Sequence, residues 1–205
     1  MITLANYKSI KTTEGMKIFR YDTIFQSKRG PGSVIGLIYM MNPGEARPES
    51  DELFQRLSNF EYETKEPVIT KCDKTMDKVI RLIRQAYKEN NVMLPEQYTF
   101  HVENLFNIRE KKSDKAKQLA KKLRGIDEVM YKSRDLQDTY QFVFLAWGNA
   151  DIQKSKQVEA LNKYNNAITV KKLNHNQKLL YVEYPVHPLY MNTEYFLEAA
   201  NGKIE

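Results

Sequence analysis

Residues 34–41 read VIGLIYMM and run directly into Asn42-Pro43-Gly44. The run is too short for a buried helix, and it is apolar at successive positions, so it does not suit a strand with one face in water. It predicts a central strand covered on both faces, as in parallel sheets. Pro43-Gly44 then turns the chain away at the carboxyl end of that strand. Three more runs rich in β-branched and aromatic residues follow: 98–105 (YTFHVENL), 141–147 (QFVFLAW) and 179–184 (LLYVEY). Amphipathic stretches separate them. Residues 72–90 put Met76, Val79, Ile80, Ile83 and Tyr87 on one helical face, and residues 113–124 put Ala116, Leu119, Ala120 and Leu123 inward, with Ser113 as N-cap and Gly125 closing the helix. Further helices are predicted over 126–138, 151–164 and 194–200, the last capped by Thr193 and closed by Gly202. The alternation predicts an α/β three-layer sandwich with a mostly parallel central sheet of about four core strands, joined by right-handed crossovers.

Outward from this core, residues 16–26 (MKIFRYDTIFQ) read as an extra strand, antiparallel at an edge, and the first 30 residues as an N-terminal strand or arm. Residues 43–71, with three prolines and many carboxylates, read as a long acidic loop that is functional or carries short helices. No repeat, low-complexity tract or linker divides the chain, so residues 1–205 are expected to form one domain.

Composition narrows the chemistry. A single cysteine, Cys72, excludes an internal disulfide, a structural zinc knuckle and a four-cysteine iron–sulfur cluster. The three histidines lack metal-ligand spacing with nearby carboxylates, so neither a metal nor another cofactor is expected. Phosphate-loop, dinucleotide and nucleophile-elbow motifs are absent, which disfavours P-loop and serine-hydrolase chemistry. The start, MITLANYKSIKTTEG, lacks the apolar core of a signal peptide, and no apolar run reaches membrane-spanning length, so a cytoplasmic protein without a membrane partner is expected. The net charge of +6 is local: residues 108–134 carry ten Lys/Arg against four Asp/Glu, while the remainder balances. Lys115, Lys117, Lys121, Lys122 and Arg124 fall on the outer side of the 113–124 helix, either as a phosphate-binding face or as a solubilising one.

In a parallel sheet the βα loops converge at the carboxyl ends of the strands, where helix N-termini also point their donors. The four predicted strand ends carry Asn42-Pro43-Gly44, Asn104 with Phe106, Asn107 and Arg109, Trp147-Gly148, and His187 with Tyr190. Asn42 suits a held water or a base edge, or else caps its own turn. Asn104 and Asn107 suit either ligand contacts or strand-end hydrogen bonds, and Trp147 suits either a site wall or the core. His187, between a strand and Pro188, can donate to a developing anion. His101 and His175 are given no function.

The ordered motifs R-Y (Arg20-Tyr21), M-N-P-G-x-A (Met41 to Ala46), N-L-F-x-x-R (Asn104 to Arg109), A-W-G (Ala146 to Gly148) and H-P-L-Y (His187 to Tyr190) resemble an uncharacterised family of bacterial and phage proteins over about residues 19–197. They are more distantly similar to the uracil-DNA glycosylase superfamily, whose mismatch-specific branch carries N-P-G after its first core strand and H-P-S or N-P-S after its last. That resemblance implies a uracil-DNA glycosylase-like fold, with Asn42 positioning the attacking water, Asn104 reading the base and His187 stabilising the leaving base. Leu189 stands where that superfamily has serine. The expected activity is hydrolysis of the N-glycosidic bond of a uracil-like or modified base in DNA or a nucleotide, with Phe106 or Tyr190 stacking on the base. Two alternatives stay open: a non-catalytic nucleic-acid- or nucleotide-binding protein of the same fold acting in phage–host conflict, and an enzyme on a small nucleotide metabolite.

Overall fold

The computed structural model describes residues 1–123, 125–170 and 184–204. In chain order the elements are strands β1 (Ile2–Thr12), β2 (Gly15–Gln26), β3 (Val34–Met40) and β4 (Arg47–Pro48), helix α1 (Asp51–Asn59), strands β5 (Tyr62–Glu63) and β6 (Val68–Lys71), helix α2 (Lys74–Glu89), strand β7 (Thr99–Asn104), helices α3 (Ser113–Lys122) and α4 (Asp127–Met130), strand β8 (Phe142–Leu145), helix α5 (Lys154–Lys163), a 3₁₀ turn at Pro188–Tyr190, and helix α6 (Thr193–Ala200). They form an α/β fold around one mixed sheet in the order β4-β6-β1-β2-β7-β3-β8, with β5 paired to β1.

The expected mostly parallel sheet is corrected. Of seven pairings between these strands only β3–β7 and β3–β8 are parallel, so antiparallel pairing dominates. The predicted strands 34–41, 98–105 and 141–147 are β3, β7 and β8, and they make the parallel part. The predicted strand 179–184 lies outside the described residues except for Tyr184. Beyond β8, Ile168 bridges Phe144 in parallel. The strand at 16–26 is β2, but it lies inside the sheet between β1 and β7 rather than at an edge. Residues 43–71 carry a short helix, α1, as one of the two alternatives had it, and also the short strands β4, β5 and β6, with α1 started by the Ser50 side chain accepting from Leu53 N–H at 3.2 Å. The expected helix 126–138 is only the short α4. The Asn107 amide donates to the Val129 and Lys132 carbonyls at 3.0 and 2.7 Å, one in the last turn of α4 and one just past its end, where the free carbonyls of a helix need donors. Helix α6 is capped by Asn192, not Thr193, and Ser113 is the first residue of α3 rather than its cap.

Alternation along β3 decides which helices cover which face. Ile38 and Met40 pack with Phe100, Val102, Phe144 and Ala146 against Val79, Ile83 and Tyr87 of α2 and Phe196 and Ala200 of α6. Leu37, Tyr39 and Met41 pack on the opposite face with Leu145 and Trp147 against α3, α4 and α5. Each large apolar side chain so buried stabilises the fold by about 1.5–3 kcal/mol. A bulge in β2 breaks this alternation. Asp22 has φ of 50°, and the β1–β2 register shifts between Leu4 and Asn6. An inserted residue reverses the faces on one side of a bulge. Phe25 consequently faces α2 while Phe19 and Tyr21 face α3, and Arg20 turns inward beneath α2.

Candidate ligand cavity at the ends of the parallel strands

After β3 the chain enters Asn42-Pro43-Gly44, and side chains from two other loops hold it there. Gly44 has φ of +65°, and a Cβ at that position would sit 2.2 Å from Asp73 Oδ2, so only glycine fits. Asp73 caps α2 by accepting from Met76 N–H through Oδ1 at 3.0 Å, and its Oδ2 accepts from the Glu45 and Ala46 N–H groups at 3.1 and 3.3 Å. From the other side Arg109 donates through Nε to Ala46 O at 2.9 Å and through Nη2 to Glu45 O at 2.6 Å. Asn42 Nδ2 donates to Glu110 O at 2.9 Å, which leaves Oδ1 as the acceptor end of its amide.

The loop after residue 184 arrives beside it. Gly148, with φ of +68°, donates its N–H to Pro185 O at 2.9 Å, and a Cβ there would meet His187 Cβ at 3.0 Å. His187 Nδ1 accepts from Leu189 N–H at 3.4 Å, which assigns the imidazole hydrogen to Nε2. Burial pushes its pKa below the usual histidine value; the Asp73 carboxylate opposes this and the Lys78 ammonium adds to it. The ring is therefore neutral near neutral pH. Lys78 in turn donates to Met191 O at 2.6 Å, fixing the 3₁₀ turn to α2.

These loops enclose a cavity of about 660 Å³ at the carboxyl end of β3. Asn42, Pro43, Gly44, His187, Tyr190 and Lys115 line it together, with Met40 and Met76 as apolar wall. Asp73, Lys111, Lys112 and Ser113 also line it; none is a site residue in the sequence reading, where Ser113 is only a helix cap, although an aspartate just before an amphipathic run is an N-cap signal that finds Asp73. Tyr190 is 84 % exposed and free to stack on a ligand. The Lys112 side chain makes no ion pair among the described residues, whereas Lys111 pairs with Glu45 at 3.2 Å and Lys115 with Glu110 at 3.0 Å.

The remaining sequence candidates lie elsewhere. Phe106 and Trp147 are fully buried on the α3 side, Trp147 edge-on to Tyr39 at 5.6 Å, so neither reaches a ligand in the cavity. Asn107 is buried and committed to α4. Arg109 and Gly148 shape the loops without lining the space. Asn104 is buried at the end of β7, level with Met40. Of the predicted phosphate-binding face only Lys115 borders the cavity. Lys117 pairs with Asp114 at 3.0 Å, Lys121 with Asp151 at 2.6 Å and Lys122 with Glu14, so these lysines meet carboxylates of the chain itself. Arg124 and His175 lie outside the described residues. His101 on β7 lies edge-on to Tyr140, and burial pushes its pKa down to about 4.

A second cavity, of about 650 Å³, opens at the amino end of β3 between Ser33, Tyr140, Lys163 and Asn165. Among the described residues no group of three or more His, Cys, Asp or Glu is arranged to hold a metal ion, and no helix is long and apolar enough to cross a membrane. No family model, curated protein or solved structure matches the chain.

Proposed function

We propose that the cavity at the strand ends binds a nucleotide and that Asn42 and His187 hydrolyse its N-glycosidic bond. The observation that carries this reading is that these two side chains, far apart in sequence, line one cavity. Glu110 O fixes the Asn42 amide by its Nδ2, so Oδ1 can hold a water against the anomeric carbon. The water oxygen bonds to that carbon as the C–N bond breaks, the bonding pair leaves with the base, and the water's proton ends on the base. A neutral His187 donating from Nε2 stabilises the base oxygen as charge gathers there, and gives up no proton of its own. Lys112, Lys115 and the N-terminus of α3 favour a phosphate, and Tyr190 offers a stacking face.

The internal pairing of Lys117, Lys121 and Lys122 favours a free nucleotide over duplex DNA as substrate. A second reading, nucleotide binding without cleavage, is favoured by Asp73. This carboxylate already accepts from three backbone N–H groups, so it is poorly placed to serve as a base for the water. Incubation with ribo- and deoxyribonucleotides and with single-stranded and duplex oligonucleotides, read by mass spectrometry of free base, separates the readings. Asn42→Ala and His187→Ala are each expected to slow release by about 100-fold or more while changing nucleotide affinity little. Nucleotide binding with no base released from any substrate would leave the binding-module reading standing.

A further inference from the structure

Three arginines are withdrawn from solvent around the sheet, and two of them fill the same edge of the guanidinium. Arg109 uses Nε and Nη2 on two carbonyls, and Arg134 uses Nε on Glu103 at 2.8 Å and Nη2 on Thr23 O at 3.0 Å. Arg20 is different. It is 0 % exposed, its Nη1 donates to Met76 Sδ at 3.0 Å, and its Nε and Nη2 have no partner among the described residues. No carboxylate among the described residues pairs with it. Its charged neighbour is Arg109, a second cation, and the Tyr7 phenol lies within hydrogen-bonding reach of the guanidinium but is kept neutral by burial, so it supplies no counter-charge. An unpaired buried guanidinium is among the most costly groups a fold can hold. The Nε–H and Nη2–H left open are the parallel pair of donors that fits the two oxygens of a carboxylate.

A second orphan lies on the same face. Asn104, 3 % exposed on the neighbouring strand β7, has Oδ1 without a hydrogen-bond donor among the described residues. What separates these groups from the outer cavity is apolar and flexible: Met76 holds Arg20 Nη1 by its sulfur, Met40 stands in register with Asn104, and both line that cavity. We propose that Arg20 and Asn104 form an inner subsite, closed by Met76 and opened when that side chain swings away, which takes a ligand bearing a planar carboxylate beside an N–H donor. The Arg20 fork receives both carboxylate oxygens, and Asn104 Oδ1 accepts the N–H. The subsite goes beyond the glycosidase reading and does not depend on bond cleavage in the outer cavity.

Pyrrole-2-carboxylate and furan-2-carboxylate share a shape and differ in the N–H, so calorimetric titration and thermal melting with the two acids test the subsite. The pyrrole acid is expected to raise the melting temperature and to bind tighter than the furan acid, and Asn104→Leu to erase that preference. Arg20→Met is expected to weaken both acids by at least about 30-fold, as for a lost charge-assisted pair, while the ligand-free protein melts no lower than wild type. Arg20→Lys keeps the charge without the fork and is expected to fold and bind poorly. His187→Ala, which slows base release in the glycosidase reading, leaves acid binding unchanged. A melting temperature indifferent to both acids, or wild-type affinity in Arg20→Lys, overturns the subsite; equal binding of the two acids overturns the part given to Asn104.

Discussion

The two halves of the sheet use polar residues in opposite ways. In the parallel half, β7-β3-β8, the strands point the same way, so the loops after β3 and β7 meet at one end and line the cavity together with the start of α2 and the 3₁₀ turn. In the antiparallel half, β2-β1-β6-β4, strand ends alternate, so successive loops leave at opposite ends of the sheet. On β1 the buried hydroxyls find partners within that half, Tyr7 with Thr70 at 3.0 Å, Ser9 with Phe60 O at 2.6 Å and Thr3 with the Cys72 thiol at 3.0 Å, whereas on β2, which borders the parallel half, Thr23 Oγ1 and the Arg20 fork have none among the described residues. Asp73 joins the halves, because it starts α2 and holds the loop that follows β3. The difference teaches that polar side chains are closed off on β1, away from the parallel strands, and left open towards them.

The sharpest test of that contrast compares two glycines with positive φ. Gly44→Ala, in the parallel half, adds a Cβ 2.2 Å from Asp73 Oδ2 to a strained backbone and is expected to cost about 3–4 kcal/mol. Gly15→Ala, in the β1–β2 turn, has φ of +82° and nothing within 4 Å, so about 1–2 kcal/mol is expected. Urea unfolding of both measures the gap, and equal losses would mean that the loop after β3 is no more tightly held than a hairpin turn. Asp73→Ala removes a helix cap and two loop bonds at once; about 2–3 kcal/mol and a weakened outer cavity are expected, the latter read as lost nucleotide affinity.

Acid distinguishes the halves more gently. His101 titrates near 6.5 unfolded and at about 4 folded, so the unfolded chain binds the extra proton between those values. Stability is then full above about pH 6.5, falls as pH drops towards about 4, and levels below it, by about 1–2 kcal/mol once the solvent reaching the ring is allowed for. Urea unfolding across this range is expected to show the fall, and His101→Phe to remove most of it. His187 adds a loss of the same sign, since its pKa is also lowered by burial. The smallest effect belongs to the outer face of α3: Lys117→Gln, Lys121→Gln and Lys122→Gln together leave nucleotide affinity unchanged, while Lys112→Gln alone weakens it. A salt-dependent loss of affinity in the triple variant would restore that face as a binding surface.

How far the sequence disclosed this depended on what each strand buries. The runs of β3 and β8 are apolar nearly throughout because helices cover both faces, and they stood out at once. Strand β1 did not, since its inward residues are Thr3, Ala5, Tyr7 and Ser9, whose polar atoms hide the alternation. Prolines and carboxylates in 43–71 suggested a loop, although Ser50, Asp51 and Glu52 spell a helix start. Asn42 is legible because it follows a parallel strand, and His187 meets it in one cavity, although the strand expected before His187 lies outside the described residues. Asn107 and Trp147 share that position in the chain, yet their side chains turn into the interior, which strand order alone does not reveal. Charge counting overstated α3, because Glu14 and Asp151 reach its lysines from distant segments.

The bulge at Asp22 makes the chemistry beneath α2 a matter of parity. Deleting that one residue would restore unbroken alternation in β2 and reverse every residue on one side of it, turning Tyr21 and Phe19 towards α2 and expelling Arg20 to the opposite face. Whether this sheet face presents a cation or a phenol is thus set by the number of residues between Thr23 and Arg20, a property that insertions and deletions can toggle in one step and that point substitutions leave intact.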